Sequence, residues 1–149
     1  MTDVKSKEDR SLNMSRIKGE NTTPEMLVRK FLFSKGFRYH LHKKDLPGKP
    51  DLVLPKYRTV IFVNGCFWHA HQNCPSFVWP KQNQEFWKKK ISSNICRDQK
   101  NMELLEKLNW KVIIVWECQL SNKQKREQTL ELLADQILIN TPELEAPVF

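Results

Sequence analysis

The chain has no run of about 18 apolar residues, the minimum for a membrane-spanning helix, anywhere in its 149 residues. Its first ten residues, Met1 to Arg10, are charged and lack the apolar centre of a secretory signal. There is no internal repeat and no low-complexity tract. Acidic residues are in deficit: 17 Asp and Glu face 25 Lys and Arg, a net charge of +8. The first absence leaves no helix able to span a membrane and the second argues against secretion, so a cytoplasmic location is expected. Without secretion, the four cysteines read as metal ligands or free thiols and not as a disulfide framework. The shortage of negative charge favours a polyanionic partner. The length suits one domain with a real core.

Residues 1–21 are polar with scattered apolar side chains (Leu12, Met14, Ile17) and read as an arm that orders on a partner. From residue 22 the pattern becomes regular. Thr22 and Glu25 have capping-box spacing and Pro24 suits a first turn, so a helix begins there and ends at Gly36. Phe37, Tyr39 and Leu41 alternate with polar residues, the period of a half-buried strand. Asp51–Leu54 and Thr59–Val63 read as two strands joined by a hairpin-length connection. A long helix opens at Asn83 or Gln84, and Asn109 is placed to close it in a left-handed cap. Trp110 to Trp116 is nearly all apolar, which predicts a central strand covered on both faces. A helix from about Lys125 to Ile139 follows. The predicted class is α/β, a mixed sheet flanked by helices, in the order α-β-β-β-α-β-α.

What is abundant is chemistry in one place. Gly65-Cys66-Phe67-Trp68-His69-Ala70-His71-Gln72-Asn73-Cys74 follows the apolar strand directly. Cys66, His71 and Cys74, with Cys118 behind the later strand, make a four-ligand set with no open position, the pattern of a structural zinc. The alternative is that Cys118 is a buried core thiol. Asp51 would sit at a sheet edge, where a carboxylate and a neighbouring main-chain carbonyl can hold Mg2+, with Glu25 assisting through water; it could equally cap a turn. His69 is not needed by the zinc set and suits a general base, or it is an exposed imidazole, or it competes with His71. His40 and His42 alternate on a strand and call for no catalytic explanation. Phe67, Trp68 and Trp87 beside Lys88, Lys89 and Lys90 combine stacking surface with phosphate-neutralising charge, although Trp87 also fits a core position.

Several blocks resemble the very short patch repair (Vsr) endonucleases. They are Leu46-Pro47-Gly48-Lys49-Pro50-Asp51, Gly65-Cys66-Phe67-Trp68-His69, Glu85-Phe86-Trp87 with Lys90 and Asn94, Arg97-Asp98, and Val115-Trp116-Glu117-Cys118. With Arg10-Ser11 and Asn13-Met14 they span about residues 8 to 120. The resemblance implies a restriction-endonuclease-like catalytic domain over residues 22–149 behind a DNA-contacting arm, 1–21. It also implies Mg2+-dependent nicking 5′ to the thymine of a T:G mismatch left by deamination of 5-methylcytosine. By position, Asp51 and the Val63 carbonyl would hold magnesium, Glu25 would support the surrounding water, and His69 would activate the nucleophile. Cys66, His71, Cys74 and Cys118 match the structural zinc set. Phe67, Trp68 and Trp87 match the aromatic wedge, Met14 a side chain inserted from the arm, and Lys90 and Asn94 the positions that read the mismatch. Asn64 stands where members often carry His or Asp; it can orient water but not accept its proton, which throws more weight on His69. Val63 stands where the best-known member has Thr, and one residue appears inserted before Cys74.

The resemblance further implies a monomer acting on mismatched double-stranded DNA in the bacterial cytoplasm, nucleoid-associated when acting; whether other mismatch-repair proteins are partners is left open by the sequence. Two other readings remain open from the sequence: a restriction endonuclease of the same fold cutting matched sites, and a non-catalytic zinc-stabilised DNA-binding module.

Overall fold

The computed structural model describes residues 22–75 and 77–139. The arm 1–21 with Met14, and the residues after 139, lie outside them. Helix α1, Thr23–Ser34, is capped by the Thr22 side chain, which accepts from the Glu25 N–H, with Pro24 in the first turn. Strand β1 follows at His40–Leu41, β2 at Leu52–Leu54 and β3 at Thr59–Asn64. Helix α2 covers Gln84–Lys107, β4 covers Lys111–Trp116 and α3 covers Lys123–Leu138. The predicted element order is the observed one.

The strands form one mixed sheet in the order β1-β2-β3-β4. β1 to β3 are antiparallel neighbours, and β3 runs parallel to β4 in the register Thr59↔Lys111 through Asn64↔Trp116. The parallel pair requires a crossover, supplied by the cluster loop and α2. Alternate residues feed two cores. Leu52, Leu54, Ile61 and Val115 pack on one face with Val28 and Leu32 of α1 and Leu130, Leu133 and Ile137 of α3. Val53, Val60 and Val112 pack on the other with Leu105 of α2.

Two expectations are corrected. β4 is not central: among the described residues it closes one edge of the sheet. Its apolar run arises because Ile113 and Val115 face one core while Val112 faces the other. A run without alternation reports two covered faces and carries no information about paired edges. The strand expected over Phe37–Leu41 shrinks to His40–Leu41. Phe37 is buried in the core edge-on to Tyr57, and the Tyr39 hydroxyl donates to the Arg29 carbonyl at 2.9 Å. Those contacts pull the segment out of the ladder and onto α1.

The long helix ends as its sequence requires, with Asn109 in the left-handed region at φ 68°. Arg58, φ 50° after the short turn Pro55–Tyr57, stacks over Trp110 at 4.2 Å and donates to the Leu108 carbonyl at 2.5 Å. That guanidinium fastens the β2–β3 connection to the end of α2.

Candidate active site

The C-terminal end of β3 and the start of β2 meet at a cavity of about 610 Å3. Asp51, immediately before β2, and Val63 and Asn64, at the end of β3, line it. The approach to Asp51 depends on Gly48, at φ +76°, where a Cβ would meet Phe62 at 3.1 Å and Asn101 at 3.2 Å. The Val63 N–H donates to Asp51 Oδ2 at 2.7 Å, so the antiparallel partner strand fixes the carboxylate directly. Burial pushes the Asp51 carboxyl up from 3.8 to about 6; the Val63 hydrogen bond opposes this and the nearby Glu25 carboxylate adds to it.

Glu25 stands behind Asp51. It is 1% exposed although it lies in the first turn of α1. Its Oε2 lies 2.7 Å from His42 Nε2 and 3.4 Å from Arg29 Nη1. One donor atom each from Glu25, His42 and Asp51 fall within 4.8 Å of one another, a set able to hold a metal ion. The sequence reading of His42 is therefore corrected. It faces the carboxylates, and its backbone takes φ 47°, a left-handed conformation unusual for a non-glycine residue. Strand alternation could not reveal this, because His42 lies just past the end of β1.

Across the cavity, His69 Nδ1 lies 2.5 Å from Asp98 Oδ2 on α2. That pairing holds one ring nitrogen and leaves Nε2 for chemistry in the cavity, which both residues line. Asp98 appeared in the sequence only as part of a motif. Lys90 and Asn94 line the same cavity, two turns and one turn earlier on α2. The Asn94 amide donates to the Trp68 carbonyl at 2.9 Å, so its first role is to tie the aromatic loop to the helix.

Phe67, Trp68 and Trp87 form a triangle with centroids 5.3 Å (Phe67–Trp68), 5.3 Å (Phe67–Trp87) and 5.8 Å (Trp68–Trp87) apart. None is fully buried, so Trp87 is a member of a half-exposed aromatic ledge and not a core residue. Phe77 and Trp79, which the sequence reading passed over, prolong the ledge at 5.9 and 5.0 Å between successive rings.

Beneath the ledge, Cys66, His71, Cys74 and Cys118 bring one ligand atom each within 4.8 Å of the others. Four donors on one tetrahedral ion with ~2.3 Å sulfur bonds stand about 3.8 Å apart, so the set fits a single metal. Burial pushes the Cys66 thiol from 9.0 up to about 12 and raises that of Cys118 in the same way. Only a bound cation favours such thiols as ligating thiolates. The turn is held by the His71 N–H donating to the Cys66 carbonyl at 2.9 Å and by the Cys66 N–H donating to Glu117 Oε1 at 2.9 Å. Ala70 and Asn73 take φ 50° and 57°, conformations that a short loop closing on one point accepts. Cys96 lies exposed on α2, outside the cluster.

Comparison with known proteins places the chain in a family. The family model described as DNA mismatch endonuclease Vsr matches residues 2–75. The type II nicking enzyme V.NmeAIP of Neisseria meningitidis serogroup A is 49% identical over 137 residues, 92% of this chain and 97% of the relative. The type II nicking enzyme V.XorIIP of Xanthomonas oryzae pv. oryzae is 44% identical, covering 91% of this chain and 98% of the relative. The DNA mismatch endonuclease Vsr of Escherichia coli is 42% identical, covering 84% of this chain and 80% of the relative. These relatives are hydrolytic endonucleases, and so is this chain. More narrowly, it belongs to the DNA mismatch endonuclease Vsr family.

Proposed function

We propose that this chain nicks one strand of duplex DNA 5′ to the thymine of a T:G mismatch, with magnesium at Asp51 and the Val63 carbonyl and a structural zinc at Cys66, His71, Cys74 and Cys118. The domain over residues 22–149 is then of the restriction-endonuclease-like type, with residues 1–21, including Met14, as a DNA-contacting arm. One observation carries the reading: Asp51 and the His69–Asp98 pair line a single cavity whose rim is an aromatic ledge.

The donor set fits a hard divalent cation. Two carboxylates converge where burial already disfavours the free Asp51 charge. When bound, magnesium offsets charge on the reacting phosphate and lowers the pKa of water beside it. His69 removes the proton from the attacking water, and Asp98 holds the imidazole in the orientation that allows it. Asn64, buried at the end of β3, orients that water without accepting a proton. Glu25 supports the water shell from behind Asp51.

The ledge supplies selectivity. Phe67, Trp68 and Trp87 enter between base steps, and a mispair is easier to unstack than a matched pair. Lys90 and Asn94 stand beside the ledge to meet the exposed base edges or the backbone. The net charge of +8 supports general affinity for duplex DNA.

The reading is tested with end-labelled duplexes that differ only in T:G against T:A at one position, in the presence of Mg2+. A single nick 5′ to the mispaired thymine is expected, with no cut in the matched duplex and none with Asp51→Asn. Equal cutting of both duplexes would refute mismatch selectivity.

A further inference from the structure

Behind Asp51, one imidazole occupies a position that the nicking reaction as set out above does not use. His42 is mostly buried, its side chain 14% exposed, and faces Glu25, whose side chain is 2% exposed. Its backbone adopts φ 47°, a left-handed conformation that Gly or Asn would take more readily. The turn is fixed by the His42 N–H donating to the Asp51 carbonyl at 3.1 Å, so His42 and Asp51 are registered on each other by their main chains.

We propose that His42 is a nitrogen ligand of the cation held by Asp51, which makes this a mixed carboxylate–imidazole site that prefers Mn2+ over Mg2+. The proposal rests on the reading of Asp51 as a cation ligand. The distances favour a shared ion. Neighbouring donors on an octahedral cation with bonds of 2.0–2.1 Å stand about 3 Å apart and opposite donors about 4.2 Å. His42 Nε2 and Glu25 Oε2 share a hydrogen bond at 2.7 Å, which the ion replaces as the Nε2 proton leaves, and the three ligand atoms lie within 4.8 Å of one another. Small side-chain movements therefore bring His42 Nε2 and the Asp51 carboxylate onto one ion, with Glu25 beside them reaching it through water. Magnesium gains little from imidazole, because it is a hard cation that keeps oxygen ligands and water. A first-row transition ion accepts the nitrogen, so the ligand shifts the preference.

The test uses the full chain loaded with zinc. Mn2+ is added to one equivalent, and electron spin-echo envelope modulation looks for 14N coupling from a directly coordinated imidazole. Calorimetric titration with Mn2+ and with Mg2+ is run in parallel on the parent and on His42→Gln. Expected are a 14N signal in the parent, its loss in His42→Gln, and a fall in Mn2+ affinity of roughly 10–100-fold with a smaller change for Mg2+. Absence of the signal in the parent, or its persistence in His42→Gln, overturns the assignment. The parent spectrum needs no variant, so a folding defect in His42→Gln cannot hide the answer. If Asp51→Asn binds both ions as the parent does, the magnesium site itself is wrong. If Mg2+-dependent nicking at T:G is intact and no nitrogen is seen, only the role of His42 falls.

Discussion

His71 lies flat on Trp116, with ring centroids 4.0 Å apart and planes 7° apart, and its Nδ1 points at Cys118 Sγ at 3.4 Å. The same indole meets His69 edge-on at 6.5 Å. One side chain at the end of β4 thus orients an imidazole of the metal cluster and touches the imidazole proposed as the base. Trp116→Ala removes both contacts. It is expected to weaken metal retention by roughly 10–100-fold, as loss of a supporting group does, and to lower nicking as well. Trp116→Phe keeps a stacking face and should preserve most of both. Metal content by atomic absorption, read beside nicking rate, checks this; unchanged metal retention in Trp116→Ala would show that the stack is incidental.

The Asp51 carboxyl gives a pH dependence whose sign follows from its direction. Its pKa is raised in the folded protein from 3.8 to about 6, so the native state holds the proton more tightly than the unfolded chain. The associated stability is complete below 3.8 and is lost as pH rises through about 6. In metal-free buffer the melting temperature should decline across that window, by a contribution of up to about 3 kcal/mol. Asp51→Asn removes this part of the slope and is more stable than the parent at neutral pH. Added divalent cation reverses the trend, because the charged carboxylate then has a partner. A melting profile that is identical for parent and Asp51→Asn would contradict the burial argument.

The His69–Asp98 contact at 2.5 Å sets an order of effects. Loss of a general base costs about 100- to 10,000-fold in rate, so His69→Ala should fall in that range. Asp98→Asn retains the imidazole but loses its anionic support, and is expected to reduce kcat less than His69→Ala while leaving DNA affinity near that of the parent. Single-turnover nicking and gel-shift titration separate the two quantities. A drop confined to DNA affinity would place Asp98 in binding instead.

Cys66 is fully buried, and its main-chain N–H is bonded to Glu117. Purified protein is expected to hold about one zinc per chain, as a four-ligand site does. Cys66→Ser, or prolonged chelation, should lower the melting temperature and expose Trp116 fluorescence to quencher. A metal-free protein with an unchanged melt would remove the structural role.

The stacking ledge is tested by Trp68→Ala, expected to weaken T:G duplex binding by about 1–3 kcal/mol, the value of one base–aromatic stack. Because Asn94 holds the Trp68 carbonyl, Asn94→Ala should share part of that loss. Equilibrium binding to 2-aminopurine-labelled duplex reads both affinity and unstacking; full unstacking by Trp68→Ala would contradict the wedge.

Much of this was legible along the chain because it is local. The capping of α1 by Thr22 needs only four neighbouring residues, and the left-handed Asn109 needs only the end of one helix. The cluster loop announced itself by residue type, since thiols and imidazoles crowded behind a buried strand have few other uses. The role of His42 is not legible in the sequence, for the opposite reason. Alternation assigns a residue to a face of a strand, but it cannot say that the strand stops one residue earlier and that the backbone then turns left-handed. Trp116 was counted as strand, and its stack on His71 depends on where a loop from elsewhere lands. The apolar sequence of β4 suggests a central strand because side chains record what covers them, whereas edge pairing is a matter of main-chain hydrogen bonds that side chains do not encode.

The amino-acid order by itself determined the elements, their succession, the crowding of thiols and imidazoles behind β3 and the positive charge, since each depends on residue type and short-range geometry. Only the tertiary structure decided which residues face one another: Asp51 against the Val63 N–H, Glu25 against His42, His69 against Asp98, and His71 against Trp116. These pairs are 12 to 45 residues apart and are made by strand register and helix docking, which follow from packing the whole core at once and leave no periodic trace in any one segment.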